Sequence, residues 1–188
     1  MTELLGLNPP PVAVTFAAAA PAGIPRVSRS GPAGCAYWKQ AGEGAVFYTE
    51  AVDHFNCPVG AYTHGVGLPP ERLKELEGVV GTMVSLQYIR MEEVAALPRR
   101  KDAFSVAVYA QLALTPTPSD VVLVRGRARQ IMLVAEAARA AGLAGDADDE
   151  LYFTIPGAKV GEVVERLETV LNANRELEKY HQARRASL

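Results

Sequence analysis

The stretch VVLVRGRARQIMLVAEAARAAGL, residues 121–143, contains both kinds of secondary structure on which the fold depends. It opens with the apolar run VVLV, which is typical of a strand buried on both faces. Residues 128–143 then follow a helical period, with Ile131, Val134 and Ala138 on one stripe. A strand followed at once by an amphipathic helix predicts a sheet with helices packed on it.

The rest of the chain alternates short strands and helices in the same way. Strands are predicted over 10–16, 46–50, 81–89, 104–112, 121–126 and 151–155, and helices over 2–7, 36–44, 69–80, 91–98, 128–143 and 161–185. The fold class is therefore predicted to be α/β (or α+β), a single domain over 1–188 with a central mixed β-sheet flanked by helices. The strands at 104–112 and 121–126 are the most apolar, and we expect them to be central.

The C-terminal helix, 161–185, is predicted to project partly from a core of about 5–171, because its apolar stripe thins after Asn172. That stripe consists of Val163, Val164, Leu167, Val170, Leu171 and Leu177. It is longer than one short sheet needs, so we expect a homodimer, the commonest form of closed oligomer.

Composition excludes several classes of function. The net charge is -2, the pI is about 6.0 and aromatic residues make up 7% of the chain, so neither a nucleic-acid surface nor a base-stacking platform is expected. No apolar run approaches the length of about 18–20 residues that a membrane span needs. The segment MTELLGLNPPPVAV lacks the basic and apolar parts of a secretory signal, so a cytoplasmic location is expected.

Chemically reactive residues are concentrated in HFNCPVGAYTHG, residues 54–65, where His54, Cys57 and His64 lie within eleven residues. The proline and glycines there predict an irregular loop. The other cysteine, Cys35, follows GPAG in a second glycine-rich turn. Two cysteines in a cytoplasmic protein indicate ligands, a redox pair or free thiols rather than a structural disulfide.

Four segments occur in a characteristic order: PPVAVTF, Cys35 before AYWKQA, DHFNCPVGAYTHGVG and SDVVLVRGRARQIMLV. This order resembles the "domain of unknown function 169" family of uncharacterised bacterial and archaeal proteins, over about residues 5–171. Its most specific element is Cys-Pro-x-Gly-Ala at 57–61, paired with the upstream Cys35. The resemblance implies a fold and a site, not a reaction. Some members carry further cysteines in the C-terminal half, which this chain lacks. A metal cluster in this chain would therefore need histidine ligands, or cysteines from a second subunit.

The candidate metal ligands are Cys35, His54, Cys57 and His64, which match a tetrahedral zinc set in kind. Cys57 before a proline also suits a thiolate haem ligand, and an iron-sulfur cluster shared between subunits is a further candidate. The alternative is a buried thiol pair with two exposed histidines.

Six of the thirteen aromatic residues fall within 37–62, and they predict either a wall for a flat ligand or a core beneath a loop. The aromatic candidates for ligand binding are Tyr37, Trp38 and Tyr62. Nearby arginines are interpreted more simply, with residues 99–101 forming a basic loop. RGRAR at 125–129 is predicted either to bind an anion at a helix start or to be solvated.

These patterns favour a small-molecule or metal-cofactor binding protein with a carrier, accessory or redox role, whose pocket lies between the two cysteine-bearing loops. One alternative is a thiol-dependent enzyme with Cys57 or Cys35 as nucleophile or redox residue, His54 or His64 as base and Asp53 orienting the imidazole. A second alternative is a dimeric structural or regulatory interaction module without a cofactor.

Overall fold

The computed structural model describes residues 1–28, 34–96, 100–143 and 152–186 of the chain. Its α-helices are α1 (Thr2–Leu5), α2 (Gly34–Gly42), α3 (Pro58–Thr63), α4 (Pro70–Ser85), α5 (Met91–Ala96), α6 (Ala128–Ala140) and α7 (Val160–Ala186). Its strands are β1 (Val12–Ala17), β2 (Phe47–Glu50), β3 (Val106–Gln111), β4 (Val121–Arg125) and β5 (Tyr152–Pro156). Short 3-10 helices cover Ala51–His54, Leu112–Leu114 and Gly157–Lys159.

The five strands form one sheet in the order β2-β3-β1-β4-β5. Strand β2 pairs antiparallel with β3, and β4 pairs antiparallel with both β1 and β5. The predicted class is confirmed: a central sheet, flanking helices and a long C-terminal helix. The sheet is antiparallel rather than mixed, because alternation of strands and helices along the chain does not by itself fix strand direction.

The two strands predicted to be central, β3 and β4, both lie inside the sheet with a neighbour on each side. Strand β3 is buried at five consecutive positions, Val106 to Ala110. Strand β4 instead alternates: Val122 and Val124 are fully buried, whereas Val121 and Leu123 are half-buried and Arg125 is exposed. Burial on both faces therefore describes β3, whereas β4 has one fully buried face.

The chain divides into two compact units. The first unit comprises Met1–Thr15, Gly42–Gly44 and Ala110–Leu188, and the second comprises Phe16–Ala41 and Ala45–Tyr109. A single domain over 1–188 stays a prediction. Within the described residues, no helix is both long and apolar enough to cross a membrane.

The first unit is held together by an aliphatic core. The predicted stripe of α6 is confirmed, since Ile131, Val134 and Ala138 are all buried. They pack with residues from β4, β5 and α7: Val122, Val124, Ile155, Val163 and Leu167. Along α7 the burial ends near Val170, and Leu177 is 56% exposed. The stripe therefore serves the core in its first half only, as the thinning pattern predicts.

The second unit contains α2–α5 and β2. The strand predicted over 81–89 is wrong, because α4 continues to Ser85 and the chain then turns at Gln87, whose φ is 57°. A helix started by Pro70 extends through this segment, since each further residue adds a backbone hydrogen bond. Its apolar residues do not form a strand-like buried face, and Leu86 is 72% exposed.

Candidate functional site

The segment 54–65, predicted to be an irregular loop, contains a short α-helix over Pro58–Thr63. The 3-10 helix Ala51–His54 leads into α3, with Cys57 at the N-cap and Pro58 in the first turn. Proline suits this position because it lacks the N–H that has no partner in a first helical turn. Proline and Gly60, taken as loop signals, are thus compatible with a helix of only six residues.

Asp53 organises the segment that places His54. Its carboxylate accepts a hydrogen bond of 2.7 Å from the amide of Glu50, which caps the 3-10 helix. The Arg26 guanidinium binds both carboxylate oxygens, at 3.0 and 3.2 Å, and also pairs with Glu50 at 3.1 Å. Both oxygens of Asp53 are therefore engaged by groups other than the imidazole that it was predicted to orient.

His54 lies in the interior of the second unit and is fully buried. Its Nε2 is 3.0 Å from the hydroxyl oxygen of Thr49, and its ring packs against Tyr37 and Tyr109 at centroid distances of 5.5 and 6.5 Å. Within the described residues, Nδ1 has no hydrogen-bond partner. A buried polar nitrogen without a partner costs about 1–3 kcal/mol, so its presence needs a reason.

His64 lies beside His54, and their ring centroids are 4.6 Å apart. The carbonyl oxygen of Gly60 can only accept, so His64 donates its Nδ1–H to it at 2.6 Å. The opposite side of the ring contacts Phe16 edge-on at 5.6 Å and Phe104 at 6.4 Å. The two histidines that the sequence singles out are therefore brought together.

Both imidazoles are neutral at pH 7. Burial, together with a smaller contribution from the nearby His64, lowers the pKa of His54 to about 4, and Asp53 opposes this change. Burial also lowers the pKa of His64, with a smaller lowering contribution from the charge on Arg100. Desolvation disfavours the charged form, so each ring keeps one proton and one lone pair.

The hydrogen bonds assign a tautomer to each ring. Thr49 donates its single hydroxyl proton to the carbonyl of Ala107 at 3.4 Å, so it accepts from Nε2–H of His54. Within the described part of the chain, the lone pairs that accept no hydrogen bond are then those on Nδ1 of His54 and Nε2 of His64. A histidine held by one ring N–H while the other nitrogen is free has the arrangement found in metal and ligand sites.

The other predicted site residues are placed less centrally. Cys57 is a free, half-buried thiol, while Trp38 and Tyr62 are half-buried on α2 and α3. Tyr37 is fully buried and donates its hydroxyl hydrogen to the carbonyl of Asp53 at 3.1 Å. The side chain of Cys35 lies outside the described part of the chain, so its predicted proximity to Cys57 stays a prediction.

Among the described residues, no group of three or more His, Cys, Asp or Glu side chains could hold a metal ion. A predicted four-ligand site is thus not assembled by His54, Cys57 and His64 alone. A separate shallow groove of about 350 Å³, lined by residues such as Tyr48, Glu50 and Val52, contains none of the predicted site residues.

Sequence reasoning missed the partners of the histidines: Phe16, Thr49, Arg100, Phe104 and Tyr109. Thr49 alternates with Phe47 on the buried side of β2, and this two-residue period was available as a signal. The hydroxyls of Thr49 and Tyr109 are also hydrogen-bonded to each other. Arg100, assigned to a basic loop, instead lies with its guanidinium carbon 4.3 Å from the ring centre of Phe16.

These features define an α/β protein with an antiparallel sheet and a pair of neutral histidines, of which His54 is fully buried and His64 is half-buried. The chain matches the "domain of unknown function 169" family, described as "Uncharacterised ArCR", over residues 1–142, and it belongs to that family. No curated protein and no solved structure matches the chain.

Proposed function

We propose that this protein binds a small molecule or cofactor at the paired histidines His54 and His64, in a carrier, accessory or redox role in the cytoplasm. The observation that carries the proposal is the fully buried imidazole of His54, whose Nδ1 has no partner among the described residues. The segments around Cys35 and Cys57 are the expected walls of this site.

The free-energy cost of burying an unpaired nitrogen favours a role for His54 in binding over a role in packing alone. An aliphatic or phenyl side chain at position 54 fills a core without the cost of about 1–3 kcal/mol for an unpaired polar atom. The chain instead places there an imidazole hydrogen-bonded to Thr49, with a second imidazole ring 4.6 Å away. Buried polar groups that break the rules of core packing are expected at functional sites.

Neutral imidazoles are also good donors to transition metals. The two imidazole lone pairs can supply two metal ligands, whereas a zinc or iron centre requires more than two. Further donors would come from Cys35, from a second subunit or from the bound molecule itself. Zinc, haem and a shared iron-sulfur cluster are therefore the cofactors to be tested.

The test is anaerobic purification followed by an ultraviolet–visible spectrum, metal analysis and native mass spectrometry. We expect a bound species that His54→Phe and His64→Phe each lose. Val108→Ala is the control, because it creates a small cavity in the same unit without removing a ring nitrogen. A protein without any bound species, or variants that retain it fully, would contradict the proposal.

A thiol-dependent enzyme is the second candidate, and it is favoured by the free, half-buried thiol of Cys57. Cys57→Ser keeps the size of the side chain and removes the soft nucleophile. If Cys57 is a nucleophile or ligand, this change abolishes turnover or loading while the circular dichroism spectrum stays unchanged. If only the melting temperature falls, the cysteine serves packing alone.

We also propose that the protein forms a homodimer. The exposed second half of α7, which includes Leu177, is the surface expected to associate. Light scattering at micromolar concentrations is expected to give twice the chain mass of 20.1 kDa, and the monomer mass at all concentrations would contradict it.

A further inference from the structure

Arg100 is fixed next to the paired histidines by its own backbone. Its amide donates to the carbonyl of Thr63 at 3.0 Å, directly before His64. Gly65 allows this approach, because a Cβ there would overlap the carbonyl oxygen of Arg100. Gly65 also has a φ of +75°, which glycine adopts without the strain that other residues incur.

The guanidinium of Arg100 packs on the ring of Phe16, which also contacts His64. Its carbon lies 4.3 Å from the ring centre of Phe16, and that ring contacts His64 at 5.6 Å. His64 in turn contacts His54 at 4.6 Å. Arg100, Phe16, His64 and His54 thus form one continuous series of contacts within the second unit.

No ion pair of Arg100 occurs within the described residues, although Arg26, Arg72 and Arg90 all have one. Its Nε donates to the backbone carbonyl of Asp102 at 3.2 Å, which uses one of its five N–H donors. Asp53, the buried carboxylate nearest in sequence to His54, is already paired with Arg26. Among the residues that the structure describes, no carboxylate therefore forms an ion pair with Arg100.

We propose that the ligand of the paired histidines carries an oxyanion, a carboxylate or a phosphate, which the guanidinium of Arg100 binds. This inference rests on the proposed function and names the class of ligand. A fixed positive charge beside two neutral imidazoles attracts an anion. The planar fork of arginine matches the oxygens of a carboxylate or phosphate with two parallel hydrogen bonds.

The experiment follows the imidazole resonances of the full chain by NMR at pH 7. Inorganic phosphate and acetate are titrated separately, with sodium chloride at equal ionic strength as the reference. We expect saturable shifts of His54 and His64 with one of the two probes, and the responsive probe identifies the class of oxyanion. Arg100→Gln should weaken this binding about tenfold or more, which corresponds to about 1.4 kcal/mol.

Two further variants keep the result interpretable. Arg90→Gln removes an exposed arginine of the same unit and should bind as the wild type does. Arg100→Lys retains the positive charge but lacks the planar guanidinium, so it should bind the anion with intermediate affinity. If Arg100→Gln does not fold, Arg100→Lys still tests the role of the guanidinium.

Absence of a saturable shift with both anions, or equal affinity in wild type and Arg100→Gln, would overturn the inference. A zinc titration separates this failure from that of the proposed function. If zinc shifts both imidazoles and neither anion does, binding at the histidines survives and the oxyanion does not. If all three probes leave both imidazoles unchanged and the purified protein holds no bound species, both proposals fail.

Discussion

The two compact units of this chain have cores of different chemistry. The core of the first unit is aliphatic, formed by valine, isoleucine, leucine and alanine side chains such as Val124, Ile131 and Leu167. The second unit buries Thr49, Asp53 and His54 among aromatic rings. Both are folded, so the polar interior of the second unit is not a requirement of stability.

The difference indicates where function resides. Aliphatic side chains gain free energy on burial without needing a partner, and their contribution scales with the area buried. Each buried polar side chain of the second unit needs a hydrogen bond, and Nδ1 of His54 lacks one among the residues that the structure describes. The first unit is therefore interpreted as a scaffold, and the second as the unit in which we propose a binding site.

The largest expected effect belongs to the aliphatic core. Leu167→Ala removes a fully buried side chain from α7 and should lower the free energy of unfolding by about 4 kcal/mol. Leu177→Ala, on the same helix but 56% exposed, should cost less than about 0.5 kcal/mol. Urea denaturation measures both, and equal effects would mean that α7 packs differently from this description.

The free energy of unfolding should depend on pH through His54, which lies in the second unit. The folded pKa of His54 is about 4, below the value of 6.5 for an unfolded histidine. The unfolded chain therefore binds more protons between these values, so stability falls as the pH drops from about 6.5 to about 4. The loss from His54 alone should approach about 3 kcal/mol.

His54→Phe keeps a ring in the core and removes the titrating group. Its unfolding free energy should be about 3 kcal/mol less sensitive to pH than that of the wild type over the same range. The lowered pKa of His64 acts in the same direction and remains in the variant. Identical pH profiles for the two proteins would show that folding does not lower the pKa of His54.

The sequence predicted the first unit better than the second, for physical reasons. In α6 and α7 the helical period of apolar residues reports burial directly, and both helices lie where it places them. The histidines of the second unit were recognised as candidates, yet their setting depends on Phe16, Arg100 and Tyr109. Contacts between residues so far apart along the chain leave no periodic signal.

Local signals were also misread in the second unit. Pro58 and Gly60 were taken to favour an irregular loop, although α3 begins with this proline. In 81–89, apolar residues at the end of α4 were taken for a strand. Both errors lie in segments where a helix is short or largely exposed, so that burial imposes little pattern on the residues.

A backbone substitution should affect the second unit by about 2 kcal/mol. Gly65→Ala places a Cβ against the carbonyl of Arg100 at a φ of +75°, and the strain and overlap add. Gly67→Ala, two residues later, meets nothing within 4 Å and should cost less than about 0.5 kcal/mol. Thermal unfolding compares the pair, and a neutral Gly65→Ala would contradict the placement of Arg100.

The smallest expected effect concerns the hydroxyl that holds His54. Thr49→Val keeps the shape of the side chain but removes the partner of Nε2, so a net loss of about 1 kcal/mol is expected. Thr169→Val, on the exposed surface of the first unit, is the control and should be near neutral.

Nitrogen-15 NMR of the imidazoles reports the tautomer directly. Wild-type His54 should carry its proton on Nε2, whereas the variant should populate both tautomers because neither nitrogen then has a fixed partner. An unchanged tautomer together with unchanged stability would mean that Thr49 does not organise the polar core of the second unit.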